Sequence, residues 1–369
     1  MVLNPPLILV SALFFLTLTS FLYLAAWLLC AAVLRRGGEG ISPLRAKRLL
    51  MTALTLPPVL AALSTIGGAT LHHVHLPAAR EHHNIACGTL YTYAFHLEWF
   101  RSGAVGRDVV GVFINGASWL LVGVGICLLA KLVHATVRLE RGLSPYQSPP
   151  SPRLQESLTR VGTQLPGLRP ERFFECPIPA GYSSVLGFRR ARCVLSQGFV
   201  ASAPEDDLDA VVAHEACHIR AGDVLGTFCV GLLNCFFFYI RPVRLLARRW
   251  RETAELACDD MAVAATAKPL AMASAILRAS GVPVNGSRLP AVALPFADEA
   301  ACPPSRRVER LMTRARGASR IETPESRMET FSGWFATLAL AGLGGFILLS
   351  SQAACYAHCS LEVIARLLP

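Results

Sequence analysis

Long apolar blocks alternate with polar stretches along this chain. Residues 6–34, 49–71, 109–133 and 331–350 are apolar runs. Each is long enough for a helix to cross a bilayer's apolar core, which takes about 20 residues. Pro57 and Pro58 interrupt the second run and predict a kink, which membrane helices tolerate when neighbours satisfy the freed carbonyls. Asn115 in the third run offers a polar contact to a neighbouring helix. A fifth run, 225–240, has about 16 residues and is short for a crossing.

Composition sharpens this picture. Of the 369 residues, 53% are hydrophobic and only 16% are charged, which is a membrane-protein balance. The net charge of +10 matters less than where the cations lie. No positive segment precedes the first run, whereas Arg35 and Arg36 follow it, so it reads as an uncleaved span with its N-terminus outside. The 35–48 loop carries Arg35, Arg36, Arg45, Lys47 and Arg48 and is expected in the cytoplasm. The 72–108 loop is poor in Lys and Arg and is expected outside. The segment after Lys131, which begins with Arg138 and Arg141, returns to the cytoplasm, and the last run sends 351–369 out again. The layout is three spans in 1–134, a cytoplasmic domain in 135–330, a last span at 331–350 and a short external tail. No basic helix with a nucleic-acid docking motif occurs, so direct nucleic-acid binding is not expected.

The chain has 12 cysteines but no pair of Cys-x-x-Cys units with zinc-ribbon spacing. Cys30, Cys127, Cys229 and Cys235 lie in apolar runs and are expected to be buried. Cys355 and Cys359 are the one plausible disulfide pair, if the tail lies outside a reducing compartment.

The chemistry concentrates in Val211-Val212-Ala213-His214-Glu215-Ala216-Cys217-His218. Asp206, Asp207 and Asp209 suit a helix N-terminal turn, and the apolar positions that follow have helical spacing. Histidines four apart share a helix face and can bind one ion, and Glu215 then lies where it can take a proton from bound water. Such a pattern arises by composition in on the order of one chain in a hundred, so a further ligand must decide. A catalytic zinc site takes three protein ligands and keeps one position open. Downstream, Arg251-Glu252-Thr253-Ala254-Glu255-Leu256-Ala257-Cys258-Asp259-Asp260 places Glu255 and Asp259 on one face. Glu255 is the expected third ligand of a single Zn2+. Asp259 is expected to hold a ligand histidine by its other ring nitrogen. Glu252 and Asp260 read as a solvated acidic face beside Arg248, Arg249 and Arg251.

The fifth apolar run lies between His218 and Glu255. A full crossing would part these ligands by roughly 30 Å, while zinc–ligand bonds are about 2 Å long. If both bind one ion, 225–240 must be re-entrant, lie along the membrane surface or pack as a core helix.

The run Val211–His218, an apolar helix after it and then Glu255-Leu256-Ala257-Cys258-Asp259 resemble the BlaR/MecR-type membrane metallopeptidases. Gly187–Ser196 is similar to that family's short strand pair, and Arg307-Val308-Glu309-Arg310-Leu311 to its closing helix. The resemblance covers roughly 135–315. It implies a polytopic α-helical membrane protein with a cytoplasmic α+β, gluzincin-like zinc metallopeptidase domain. His214, His218 and Glu255 would be the metal ligands and Glu215 the general base. The implied activity is antirepressor signalling, in which an external signal drives cleavage of a cytoplasmic protein, a DNA-binding repressor being the candidate. Penicillin-sensing members carry a large external C-terminal domain, whereas only 351–369 follow the last span here. The signal is therefore expected through the external loop, the tail, the lipid, a separate sensor protein or an oligomer. The resemblance also suggests that the strand near Arg192–Leu195 pairs with an extended substrate.

Other features read more plainly. His72, His73, His75, His82, His83 and His96, with Glu81 and Cys87, could bind metal or sense pH, but a polar loop explains them as well. Residues 142–153 read as a Pro/Ser linker, and 281–306 and 312–330 as connectors that could also be sites of self-cleavage. Arg241, Arg244, Arg248, Arg249 and Arg251 suit anionic membrane lipid head groups. Two other functions compete with signalling. One is a membrane quality-control metalloprotease; its relatives typically place two spans between the motifs. The other is a non-proteolytic sensor or scaffold with a vestigial metal site, which would not need Glu215.

Overall fold

The computed structural model describes residues 5–37, 41–73, 105–178, 183–187, 190–280, 294–295 and 302–316. The fourth apolar run, the tail with Cys355 and Cys359, and most of the His-rich loop lie outside the described residues, as does most of 281–306 and 312–330.

Three long helices come first: α1 (Pro5–Gly37), α2 (Pro43–His73) and α3 (Val105–Leu143). Stretches long and apolar enough to cross a membrane are Phe15–Arg36 in α1, Pro43–Leu63 in α2, and Trp119–Tyr146, which takes in the end of α3 and the turn after it. Phe21, Leu29, Trp119 and Leu120 project from them largely exposed, a surface suited to hydrocarbon. Helix α2 runs through Pro57 and Pro58 as one element. It begins at Pro43, so Arg45, Lys47 and Arg48 sit in its first turns rather than in a loop. Cys30 and Cys235 are buried and Cys229 partly so, but Cys127 is exposed beside exposed Ile126. An apolar neighbourhood in sequence does not say whether protein or its surroundings cover the thiol.

The described residues form two compact units. The first takes α1 up to Leu29, α2 from Thr52 and α3 up to Gly125. Within it, the buried Tyr23 hydroxyl donates to the Leu54 carbonyl at 2.8 Å, tying α1 to α2.

The second unit holds Cys30–Met51 and everything from Ile126 onward that is described here. Its helices are α4 (Pro152–Gln164), α5 (Gln197–Ser202), α6 (Glu205–Ala221), α7 (Asp223–Phe236), α8 (Arg241–Thr266), α9 (Pro269–Ser280) and α10 (Pro304–Ala315). Its strands are β1 (Phe173–Cys176), β2 (Ser183–Leu186), β3 (Arg192–Ser196) and β4 (Leu294–Pro295), in the order β1-β3-β2-β4. Strand β3 pairs parallel with β1 and antiparallel with β2, and β4 adds antiparallel to β2. Alternation along β3 sends Cys193 and Leu195 into the main core and Val194 to the opposite face. That opposite face is covered by Leu139 and Leu143 of α3.

Helix α6 is the centre of the core, with every residue from Asp207 to His218 buried. Leu208, Val211, Val212 and Ala213 supply the apolar surface, packing among Leu154 and Leu158 of α4 and Met272 and Ile276 of α9. Two of its buried acids, Asp207 and Asp209, are satisfied by neighbours, as burial requires. Asp207 accepts from Ser274 and Arg278 of α9, and Asp209 from Ser157 and Arg160 of α4. The acids in its first turn also offset the positive end of the helix dipole.

The stretch 142–153 is not a free linker. Ser148 exchanges backbone hydrogen bonds with Glu175 of β1 at 2.8 and 3.0 Å. The Ser151 amide donates to the Glu175 carboxylate at 2.8 Å, and Ser151 caps α4 ahead of Pro152. Pro and Ser here set a cap and a bridge instead of flexibility.

Candidate metal centre

Helix α6 presents His214 and His218 one turn apart, on the side facing α8. Helix α8 brings Glu255 to them. His214 Nε2 lies 3.5 Å from Glu255 Oε2 and His218 Nε2 lies 3.4 Å from Glu255 Oε1, while the two Nε2 atoms are 3.0 Å apart. All three residues are 2% exposed or less. Ligand atoms around a tetrahedral zinc at its usual bond lengths sit about 3.3 Å apart, so the spacing fits one ion.

The outer nitrogens argue the same way. His214 Nδ1 lies 3.0 Å from Asp259 Oδ1, and His218 Nδ1 lies 2.8 Å from Asp223 Oδ2. A proton on each Nδ1 satisfies those carboxylates and leaves a lone pair on each Nε2. Two such lone pairs facing each other in a buried space repel unless a cation lies between them. The donor set therefore fits a divalent metal.

The pKa values of these acids shift in different directions because their neighbours differ. Burial pushes the Glu215 carboxyl up, against the pull of the two imidazoles and Ser183. Burial also acts on Glu255, but His218, His214 and Arg307 outweigh it and hold this carboxyl well below the usual range. Asp259 is likewise buried, yet the Arg307 guanidinium and His214 bring it down to about 2. Arg307 of α10 is 1% exposed. It donates to Asp259 through Nε at 2.8 Å and Nη2 at 2.7 Å, and its Nη1 lies 3.2 Å from Glu255 Oε2.

Glu215 points toward the sheet. Ser183 of β2 donates to its Oε1 at 2.8 Å, and its Oε2 is buried without a hydrogen-bond partner among the described residues. An ionisable oxygen placed thus can accept a proton from a group entering the site.

His218, Asp223 and Cys258 also approach within 4.8 Å of one another. They make a poor second metal site. Both Asp223 oxygens are already engaged, one by the Lys47 ammonium and the other by His218 Nδ1.

The candidate site residues singled out in the sequence all lie among the described residues. His214, His218 and Glu255 meet, Glu215 stands beside them, and Asp259 touches His214. Glu252 and Asp260 are ion-paired rather than solvated: Glu252 pairs with Arg249 and Arg306, and Asp260 with Arg310 and Arg314. Helix α7 joins α6 at 59° and does not carry the chain away from the site, since α8 returns to it. Strand β3 is flanked by β1 and β2, so its backbone cannot take a substrate; the strand nearer Glu215 is β2, with β4 on its outer edge. Sequence reasoning missed Asp223, Ser183 and the inward role of Arg307, and read Lys47 only as a topology marker. Asp223 had a faint signal, an acid five residues after a ligand histidine and directly after a helix-ending glycine. Ser183 had none.

Residues 172–298 match the family model described as BlaR1 peptidase M56. The match supports the BlaR/MecR-type family and a metallopeptidase. It takes in the HExxH residues, Glu255 and Asp259, but neither Lys47 nor Arg307. No curated protein matches the chain.

Proposed function

We propose, from the premise that residues 172–298 are a peptidase segment of the BlaR1 M56 type, that this chain is a membrane-embedded zinc endopeptidase cutting a cytoplasmic regulator. The observation that carries the reading is the convergence of His214, His218 and Glu255 on one buried point with the unpartnered Glu215 Oε2 nearby. An intact base beside the ligand set is not needed for a structural metal, and it favours catalysis over a scaffold.

Zinc held there would supply Lewis acidity, bringing a water's pKa toward neutrality and polarising a peptide carbonyl. Glu215 accepts the proton at Oε2 and later delivers it to the leaving amine. Ser183 keeps the Glu215 carboxylate from turning away by holding Oε1. Asp259 and Asp223 fix the two ring orientations and tautomers. An extended peptide could pair with the outer edge of β2 only by displacing Leu294–Pro295. The three apolar helices are read as spans, with the 35–48 segment and the peptidase together in the cytoplasm and a transcriptional repressor as the candidate substrate.

The test compares the proteomes of cells carrying the native chain and the Glu215→Gln variant. One shortened cytoplasmic protein is expected only with the native chain. The purified variant should keep its metal while cleavage falls by roughly 10²- to 10⁴-fold. Unchanged proteolysis in the variant overturns the reading.

A further inference from the structure

Helix α2 reaches the candidate metal centre through a lysine. Lys47, in its second turn, is 8% exposed, and its ammonium pairs with Asp223 Oδ1. The other oxygen of Asp223 holds His218 Nδ1 at 2.8 Å and also faces the Cys258 thiol at 3.4 Å. The same ammonium lies 5.9 Å from the centre of the Trp250 ring of α8. One turn further along α2, Met51 packs where α7 and α8 cross. A Cβ built on Gly226 would meet the Trp250 ring at 2.7 Å and Met51 Cε at 3.2 Å, so glycine alone lets these helices approach so closely.

Accepting the zinc reading above, we propose that Lys47 is a positioning residue that couples helix α2 to the metal through Asp223 and His218. The chemistry explains why a lysine is needed. Asp223 is 1% exposed, and a buried carboxylate without a cation is costly and is drawn to the nearest positive charge. Lys47 anchors it on the side away from His218, so its second oxygen keeps one position and fixes the imidazole's tautomer and tilt. Helix α2 is 31 residues, about 46 Å, long, and it contains a stretch apolar enough to span a membrane. A shift of α2 along its axis or about it moves Lys47 and with it the carboxylate behind His218. The metal site is thereby exposed to whatever acts on the helix.

The experiment measures zinc affinity of the purified full-length chain by competition with a chromophoric chelator, alongside thermal unfolding. Lys47→Met should weaken zinc by roughly ten- to a hundredfold, the usual effect of losing a group behind a ligand. Lys47→Arg should restore most of the affinity. Asp223→Asn should match Lys47→Met, and the double variant should be no weaker than either single, because the pair acts as one unit. Leu50→Ala, a buried change on the same helix, should lower the unfolding temperature and leave zinc affinity unchanged. Native affinity in Lys47→Met overturns the coupling while leaving the peptidase reading intact. If that variant does not fold, the double variant, which leaves no unpaired charge, takes its place, and native affinity there overturns the coupling. A native chain that takes up no zinc removes both readings.

Discussion

At the scale of single residues, the site depends on side chains that hold other side chains. On the proposed reading Glu215 works only if its carboxylate stays turned toward His214 and His218, and Ser183 holds its Oε1 at 2.8 Å. Removing that hydroxyl leaves a buried carboxylate with one contact fewer, and hydrogen bonds to charged groups are worth about 1.5–3 kcal/mol. Ser183→Ala is therefore expected to slow peptide cleavage roughly ten- to a hundredfold with zinc affinity unchanged, as steady-state kinetics and metal titration would show. An equal loss of metal in that variant would place Ser183 behind a ligand instead. The residues that bind could be read from their spacing, because a helix puts positions four apart together whatever surrounds it. The residues that hold them could not: Ser183 is 32 positions from Glu215, and Arg307 is 48 from Asp259.

At the scale of elements, the decisive feature is the joint between α6 and α7. Gly222 has φ +70° and ψ 29°, ends α6 and starts α7, and turns the axis by 59°. That turn brings Asp223 back to His218, which a straight helix would have carried away. A Cβ at Gly222 would touch nothing within 4 Å, so any cost of a side chain is backbone strain alone. Gly222→Ala should cost about 1–2 kcal/mol, and Gly222→Asn less, since asparagine tolerates this conformation. Thermal unfolding of the two variants checks the order, and equal stability of all three chains would show that the turn is unstrained. Helices α8 and α10 are joined by a row of ion pairs, Glu252 with Arg306, Glu255 and Asp259 with Arg307, and Asp260 with Arg310 and Arg314. Glu252 and Asp260 looked like a solvated face because Arg306, Arg310 and Arg314 lie in a segment whose approach the sequence does not announce.

At the scale of the whole molecule, the question is on which side of a membrane each part lies. Helices α6 and α8 meet at one site across α7, so on the proposed reading the flanks of the fifth apolar run are expected on one side of the membrane. Impermeant thiol reagents should label Arg220→Cys and Arg244→Cys, both exposed positions, from the same side of a sealed vesicle. Labelling from opposite sides would break the site apart. Hydropathy alone could mark three helices as able to cross, because the apolar core of a bilayer sets a length that any sequence can be measured against. It could not place 225–240, since a 14-residue apolar helix such as α7 is equally at home under a membrane or inside a protein.

The amino-acid order by itself determined the local facts: which stretches are apolar, which histidines share a helix face, and where an acid could complete a ligand set. These follow from helix periodicity and side-chain chemistry over a few neighbouring residues. Only the tertiary structure decided that a serine on a strand holds Glu215, that Arg307 pairs with Glu255 and Asp259, and that Lys47 reaches Asp223. Such partners are selected by the cost of burying a charge unpaired, and that cost exists only once the chain has closed around it.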